Sequence, residues 1–167
     1  MTIYNFCSKC GQPLDKSGKF PYCPTCDITY YRNAKPCAGI FPLKDGKVLL
    51  AKRGVEPYKG QFDTIGGFLN ENELPTDGAV REALEETGLT VEVTDQLGVY
   101  LDRYGDDGDY TLCTFFIGRI LDGIMEAQDD VAALEWRSLD DLPWDEGFPS
   151  NQRALRDLQQ WYQNHSS

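Results

Sequence analysis

Apolar residues run along this chain in short blocks, and the period of the blocks changes along its length. Residues 36–43 (PCAGIFPL) read as a strand, Asp45-Gly46 as a hairpin turn, and 48–52 as the returning strand. A loop with Gly54, Pro57 and Gly60 follows, and 61–65 leads into Gly66-Gly67. With Pro75 ahead of it, a helix is expected from Thr76 or Asp77, with Val80, Ala83, Leu84 and Thr87 on its apolar side and Gly88 just past its end. Residues 91–101 alternate imperfectly, as a strand. Residues 102–109 (DRYGDDGD) are an acidic, turn-rich loop, and 110–120, with TFFIGRI, have the strongest strand propensity. A short strand is expected at 133–136 and a helical turn at 139–143 (LDDLP). A last helix begins near Ser150, an N-cap residue type, with Ala154, Leu155, Leu158, Trp161 and Tyr162 as its core stripe. Strands interleaved with two helices predict an α/β domain with a mixed sheet between helices.

The first 34 residues follow a different rule. Cys7-x-x-Cys10 and Cys23-x-x-Cys26 are separated by twelve residues, a spacing that suits a tetrahedral four-thiolate zinc site. A segment this short has too little core to fold unaided, and bound Zn²⁺ would supply the missing free energy. Four cysteine ligands leave no open coordination position, so the expected role is structural. Two units are expected: a zinc ribbon over 1–34 and a larger domain over 35–167. Cys37 and Cys113 lie outside the pattern and, flanked by apolar residues, read as buried small side chains.

Composition narrows the classes. The 167 residues are 41 % hydrophobic and 26 % charged, with a net charge of −11. That balance disfavours nucleic acid as a partner, although Lys9, Lys16, Lys19, Arg32 and Lys35 against Asp15 and Asp27 leave a local basic face on the ribbon. No apolar run approaches the roughly 18 residues that span a bilayer. The opening MTIYNFCSKC lacks the basic and apolar regions of an export signal, and paired thiols suit a reducing compartment, so a cytoplasmic location is expected. The lone histidine, His165, falls at the end of the last helix and is a poor catalytic candidate.

The chemistry concentrates in residues 67–89, GFLNENELPTDGAVREALEETGL. Glu82, Glu85 and Glu86 share a helical face, where like charges cost about 0.2–0.5 kcal/mol per pair. Carboxylates without histidine or thiolate suit a hard divalent cation such as Mg²⁺ or Mn²⁺. Gly67, Glu73, Arg81, Glu82, Ala83, Glu85, Glu86, Gly88 and Leu89 fill every fixed position of a pattern that resembles the signature of the Nudix hydrolases. The resemblance covers roughly 36–145. It implies a Nudix-type α/β/α sandwich with a mixed sheet, and a zinc ribbon in front of that fold is found in a subset of the family.

The resemblance also implies roles. Nudix enzymes hydrolyse a diphosphate that joins a nucleoside to another group. By position, Glu82, Glu85 and Glu86 look like ligands of the catalytic cation, with a carbonyl of Gly66 or Gly67 completing the shell. Arg81 and Glu73 look like the residues that orient them. The general base differs among branches: here it is Glu82 or an acid on the later loop, where Asp130 is better placed than Glu126 or Asp129. Candidate stacking residues are Tyr4, Phe41, Phe62, Phe68, Tyr104 and Tyr110, and Arg53, Lys52 and Arg103 are candidate phosphate or ribose contacts. Two family positions differ, with Ile65 where Pro usually precedes the glycine pair and Phe62 where Trp is common.

The expected substrate is a nucleoside diphosphate derivative of the ADP-ribose, FAD or nucleotide-sugar class. The branch that cleaves NADH and NAD-capped RNA carries a Ser-Gln-Pro-Trp-Pro-Phe-Pro string after the signature, which residues 90–120 lack, so that activity ranks second. A nucleotide-sensing domain without catalysis is the alternative of another class, and the intact acids argue against it. Many relatives are homodimers, but nothing in this sequence reports its oligomeric state.

Overall fold

A computed structural model describes residues 4–105 and 108–165. Asp106 and Asp107 of the acidic loop lie outside the described residues. The element order is β1 (Tyr22–Cys23), β2 (Ile28–Thr29), β3 (Lys35–Lys44), β4 (Lys47–Arg53), β5 (Phe62–Asp63), β6 (Ile65–Phe68), α1 (Pro75–Thr87), β7 (Leu89–Arg103), β8 (Tyr110–Gly123), β9 (Val131–Ser138) and α2 (Pro149–His165). β1 and β2 form a small hairpin in the N-terminal segment. The other strands build a seven-stranded sheet with the path β5-β4-β3-β8-β7, to which β6 adds on β3 and β9 on β4. β3 and β8 run parallel and every other pair is antiparallel.

The sheet is covered on both faces, and the alternation of side chains shows how. Phe41, Val48, Leu50, Phe115 and Ile117 point to one face, where they pack with Ala154, Leu155 and Leu158 of α2. Their neighbours Ile40, Leu49, Ala51 and Phe116 point to the other, where they meet Ala79 and Ala83 of α1. A strand buried on both sides has no polar side to alternate with, so 36–43 and 48–52 read as near-continuous apolar runs. This is the expected α/β/α sandwich. No described helix is long and apolar enough to cross a membrane.

Local details depart from the sequence expectations. In α1 the buried residues are Gly78, Ala79, Ala83, Glu86 and Thr87, whereas Leu84 is exposed. Small side chains bring the helix close to β3 and β6, and Glu86 turns inward to accept the Gly66 N–H at 2.9 Å. Gly88 ends the helix in the left-handed conformation (φ 69°) and donates its N–H to Leu84 O. Residues 139–143 form a turn rather than a helical segment, with Asp141 N–H bonded to Ser138 O and Leu139 and Leu142 anchored in the core. Pro143 disfavours helical backbone at the residue before it. Ser150 lies inside α2, not at its cap, and its N–H goes to the Asp102 carboxylate.

Cys37 and Cys113 are register partners on the parallel strands β3 and β8, Cα atoms 4.5 Å apart, and are joined as a disulfide. Taken one at a time, each residue reads as an isolated small side chain, because only strand register brings the two together.

Candidate active site

The site forms where the β6 glycines meet α1. Gly66 (φ 153°) has no room for a side chain, since a Cβ there would lie 2.3 Å from Ala38 O. A Cβ on Gly67 would lie 2.6 Å from Glu82 Oε1. The glycine pair thus lets the Glu82 carboxylate rest directly on the backbone.

Arg81 organises the acids around it. Its Nε and Nη2 donate to the two oxygens of Glu73 at 2.7 and 2.8 Å, a bidentate fork. Its Nη1 donates to both Glu82 Oε1 and Glu85 Oε2 at 2.8 Å, and Nη2 also reaches Phe68 O at 3.2 Å. Hydrogen bonds from Arg81 and from the Asn70 N–H hold the Glu73 pKa down at about 2. The balance reverses one turn on. Burial, then the nearby Asp130, Glu82 and Asp63 charges, push Glu86 up to about 9 against the Gly66 N–H that it accepts. Glu82 is raised by burial in opposition to Arg81.

These acids are less convergent than the shared-face spacing suggests. Among the described residues, only Cys7, Cys10, Cys23 and Cys26 bring three or more ligand atoms within 4.8 Å of one another. Glu82 and Glu85 share Arg81 Nη1, Glu85 is half-exposed, and Glu86 is drawn away under Gly66. The donor set is still all oxygen, which suits a hard divalent cation. The cysteine quartet could hold zinc. Cys7 and Cys23 are buried in a small core with Leu14, and Cys7 accepts a hydrogen bond from Tyr30 Oη at 3.3 Å.

Beside the glycines opens a cleft. Arg53, Phe68 and Tyr104, all singled out from the sequence, line it. Arg53 is heavily committed: Nε donates to Pro57 O at 2.7 Å, Nη1 to Asp63 Oδ2 at 2.6 Å and Nη2 to Tyr104 Oη at 3.4 Å, and the guanidinium lies over the Phe148 ring at 5.2 Å. Asp130 is 3.9 Å from Arg53 and electrostatically close to Glu86, so the structure brings it to the site. Glu126 N–H bonds Thr87 O at the end of α1, and Asp129 turns the chain in the left-handed conformation (φ 53°). Of the remaining candidates, Phe41 and Phe62 are core, Tyr4 packs on Tyr30 in the N-terminal segment, and Tyr110 is exposed at the start of β8. Lys52 pairs with Glu135, Arg103 Nε bonds Gly108 O, and His165 stacks on Trp161. The sequence reading missed Asp63, Thr64, Phe148 and Asn151, which also line the cleft. The nearest signal was the GFPSN string at 147–151, which carries two of them.

Residues 34–158 match the NUDIX domain. The chain is 36 % identical over 118 residues to an ADP-ribose pyrophosphatase of Methanocaldococcus jannaschii, covering 71 % of this chain and 69 % of that protein. It is 25 % identical over 162 residues to an NAD-capped RNA hydrolase of Stutzerimonas stutzeri, an alignment that covers 95 % of this chain and 56 % of that relative. Among solved structures, a NUDIX hydrolase from Nitrosomonas europaea superposes with a TM-score of 0.79 at 25 % identity, covering 98 % of this chain and 93 % of that one. An α/β/α sandwich carrying an arginine-ordered acid cluster beside a glycine pair defines a hydrolase of phosphoanhydrides. The chain belongs to the Nudix family.

Proposed function

We propose that this chain hydrolyses the diphosphate of a nucleoside diphosphate derivative, of the ADP-ribose, FAD or nucleotide-sugar class, and releases a nucleoside monophosphate. The observation that carries the reading is the acid cluster around Arg81 opening directly into an aromatic-lined cleft through Gly66 and Gly67. Identity to an ADP-ribose pyrophosphatase supports the substrate class. Glu82, Glu85 and Glu86, with the Gly66 carbonyl, would hold Mg²⁺ or Mn²⁺. When bound, that ion neutralises the diphosphate and makes an attacking water more acidic. Glu73 and Arg81 hold the acids in place. Asp130 is the proposed proton acceptor, because Arg81 hydrogen-bonds Glu82, the other candidate, whereas Asp130 stays part-exposed beside Arg53, a residue of the cleft wall. Asp130→Asn is expected to lower kcat by about 10²-fold or more with little change in melting temperature.

A panel of ADP-ribose, FAD, NADH, nucleotide sugars and nucleoside triphosphates, incubated with Mg²⁺ or Mn²⁺, tests the reading. We expect nucleoside monophosphate from ADP-ribose or one of its class. A protein that hydrolyses none of them would instead be a nucleotide sensor. A second enzymatic reading, action on NADH or NAD-capped RNA, gains support from the alignment to the NAD-capped RNA hydrolase, which runs through the N-terminal segment. NADH as the best substrate in the panel would establish it.

The proposal further divides the chain into a ribbon over 1–34 that holds structural Zn²⁺ and the hydrolase over 35–167. Metal analysis of purified protein is expected to give about one zinc per chain, falling to near zero in Cys10→Ser together with Cys26→Ser. Four free thiols support a cytoplasmic location, while the Cys37–Cys113 bridge pulls the other way. β7 ends the sheet path with one edge free, and we propose a homodimer, with small molecules rather than nucleic acid as its substrates.

A further inference from the structure

Behind the aromatic wall of the cleft lies a polar floor that neither the signature nor the cation explains. Asp63, on β5, receives three N–H groups: Arg53 Nη1 at 2.6 Å on one oxygen, and Thr64 N–H at 2.8 Å and Asn151 Nδ2 on the other. Asn151 comes from the first turn of α2 and is only 4 % exposed. Three donors on two oxygens make Asp63 an acceptor on every side that is used. The Asn151 amide must therefore turn its nitrogen toward Asp63, whichever way the amide is drawn. Its carbonyl oxygen takes no hydrogen bond within the described residues, and Asn151 lines the cleft. Beside it, Thr64 Oγ1 is the one buried side-chain polar atom among the described residues without a partner. An unpartnered hydroxyl at 6 % residue exposure is costly unless a ligand completes it.

The wall beside this floor is aromatic, its rings tilted against one another by 47° and 31°. Phe68 and Tyr104 lie 5.7 Å apart, Tyr104 and Phe148 5.5 Å, as a row of rings leading away from the glycines. A flat π-system with hydrogen-bonding groups on its edge fits such a space: the rings take its face and Asn151 and Thr64 take its edge. With the diphosphate at Gly66 and Gly67, the other end of the cleft is left for the base.

We propose that Asp63 sets base specificity by locking the Asn151 amide with its carbonyl toward the ligand, so that the cleft selects a base with an exocyclic amino group, adenine, over its 6-oxo counterpart. The amino group donates to Asn151 Oδ1. Replacing it with a carbonyl sets acceptor against acceptor. The amide cannot rotate to relieve this, because its own oxygen would then face the Asp63 carboxylate. Asp63 acts through Asn151 and is a positioning residue. The substrate in this inference rests on the proposed function, but base selection itself does not.

Two measurements test it. In the first, kcat/KM is compared for ADP-ribose and its inosine analogue. The wild type is expected to favour ADP-ribose by at least about tenfold, and Asp63→Asn, whose amide accepts either orientation of Asn151, to reduce the ratio to within about threefold. In the second, calorimetric titration with AMP and IMP, with no turnover, is expected to show the same ratio and the same collapse. A merely structural role for Asp63 would weaken both ligands alike and leave the ratio intact. Should Asp63→Asn fail to fold, Asn151→Ala deletes the acceptor and is expected to abolish the preference by itself. Equal handling of the amino and oxo ligands by the wild type overturns the inference, as does a ratio that survives in a folded variant. A protein that hydrolyses nothing yet prefers AMP over IMP, and loses that preference in the variant, sinks the diphosphatase reading and upholds this one.

Discussion

Glu86→Gln is expected to lower kcat about 10²–10³-fold and, at the same time, to make the metal-free protein more stable above pH 6. The two effects share a cause. Glu86 is buried to 6 % exposure beneath Gly66 and faces the charges of Asp130, Glu82 and Asp63. Its folded-state pKa of about 9 lies above the ordinary glutamate value of 4.5. A raised carboxyl pKa means that the native state holds the proton more tightly than the unfolded chain. The associated stability is complete below about pH 4.5 and is lost progressively as pH rises toward 9. At pH 7 the folded chain keeps a proton that the unfolded chain has released, which costs on the order of 3 kcal/mol. Glutamine keeps an acceptor for the Gly66 N–H and carries no charge, so the variant's melting temperature should fall less than the wild type's from pH 5 to 9. A divalent cation removes the same penalty in the wild type. Added Mg²⁺ should therefore raise the wild-type melting temperature most at high pH and leave the variant nearly unmoved. Magnesium is best omitted rather than chelated, so that any ion on the cysteines stays in place. Normal turnover by the variant, or a metal-free variant no more stable than the wild type at pH 8, would show that Glu86 is not a cation ligand.

The inward turn of Glu86 also marks the limit of what the sequence reveals. Helical spacing puts Glu82, Glu85 and Glu86 on one face and Leu84 on the apolar side of α1, yet in the structure Leu84 is exposed and Glu86 buried. What decides between them is the closeness of α1 to β3 and β6, which favours alanine, and the Gly66 N–H, which needs an acceptor. Neither is a local property of residues 75–87. The strands were legible because β3, β4 and β8 are buried on both faces, and long apolar runs survive whatever the tertiary detail. Arg81 and its acids were legible because their contacts span at most eight positions. The floor of the cleft was not. Asp63 and Asn151 are 88 positions apart, and a polar residue near a helix start reads as a cap until the strand it faces is known. The disulfide stayed hidden for the same reason, as 76 residues separate its halves.

Arg81 is the residue whose loss should damage fold and reaction together, and a pair of substitutions separates the two. Arg81→Met removes the only cation that, among the described residues, bonds Glu73, Glu82 and Glu85. Three carboxylates, two on α1 and one in the loop before it, then repel one another at a part-buried site. We expect a loss of about 2–4 kcal/mol in urea unfolding, below the full penalty of a deeply buried charge because Arg81 is 25 % exposed. Arg81→Lys keeps the charge but not the fork: one ammonium cannot reach both Glu73 oxygens and still bridge Glu82 to Glu85. Stability should therefore recover by more than half, while kcat stays about 10- to 100-fold down and the Mg²⁺ concentration needed for half-maximal rate rises. That divergence distinguishes geometry from charge. If lysine restored the rate as fully as it restored stability, Arg81 would be a counterion and no more. If methionine cost neither, the acids would already be held apart by other contacts, and the ordering role assigned to Arg81 would fall.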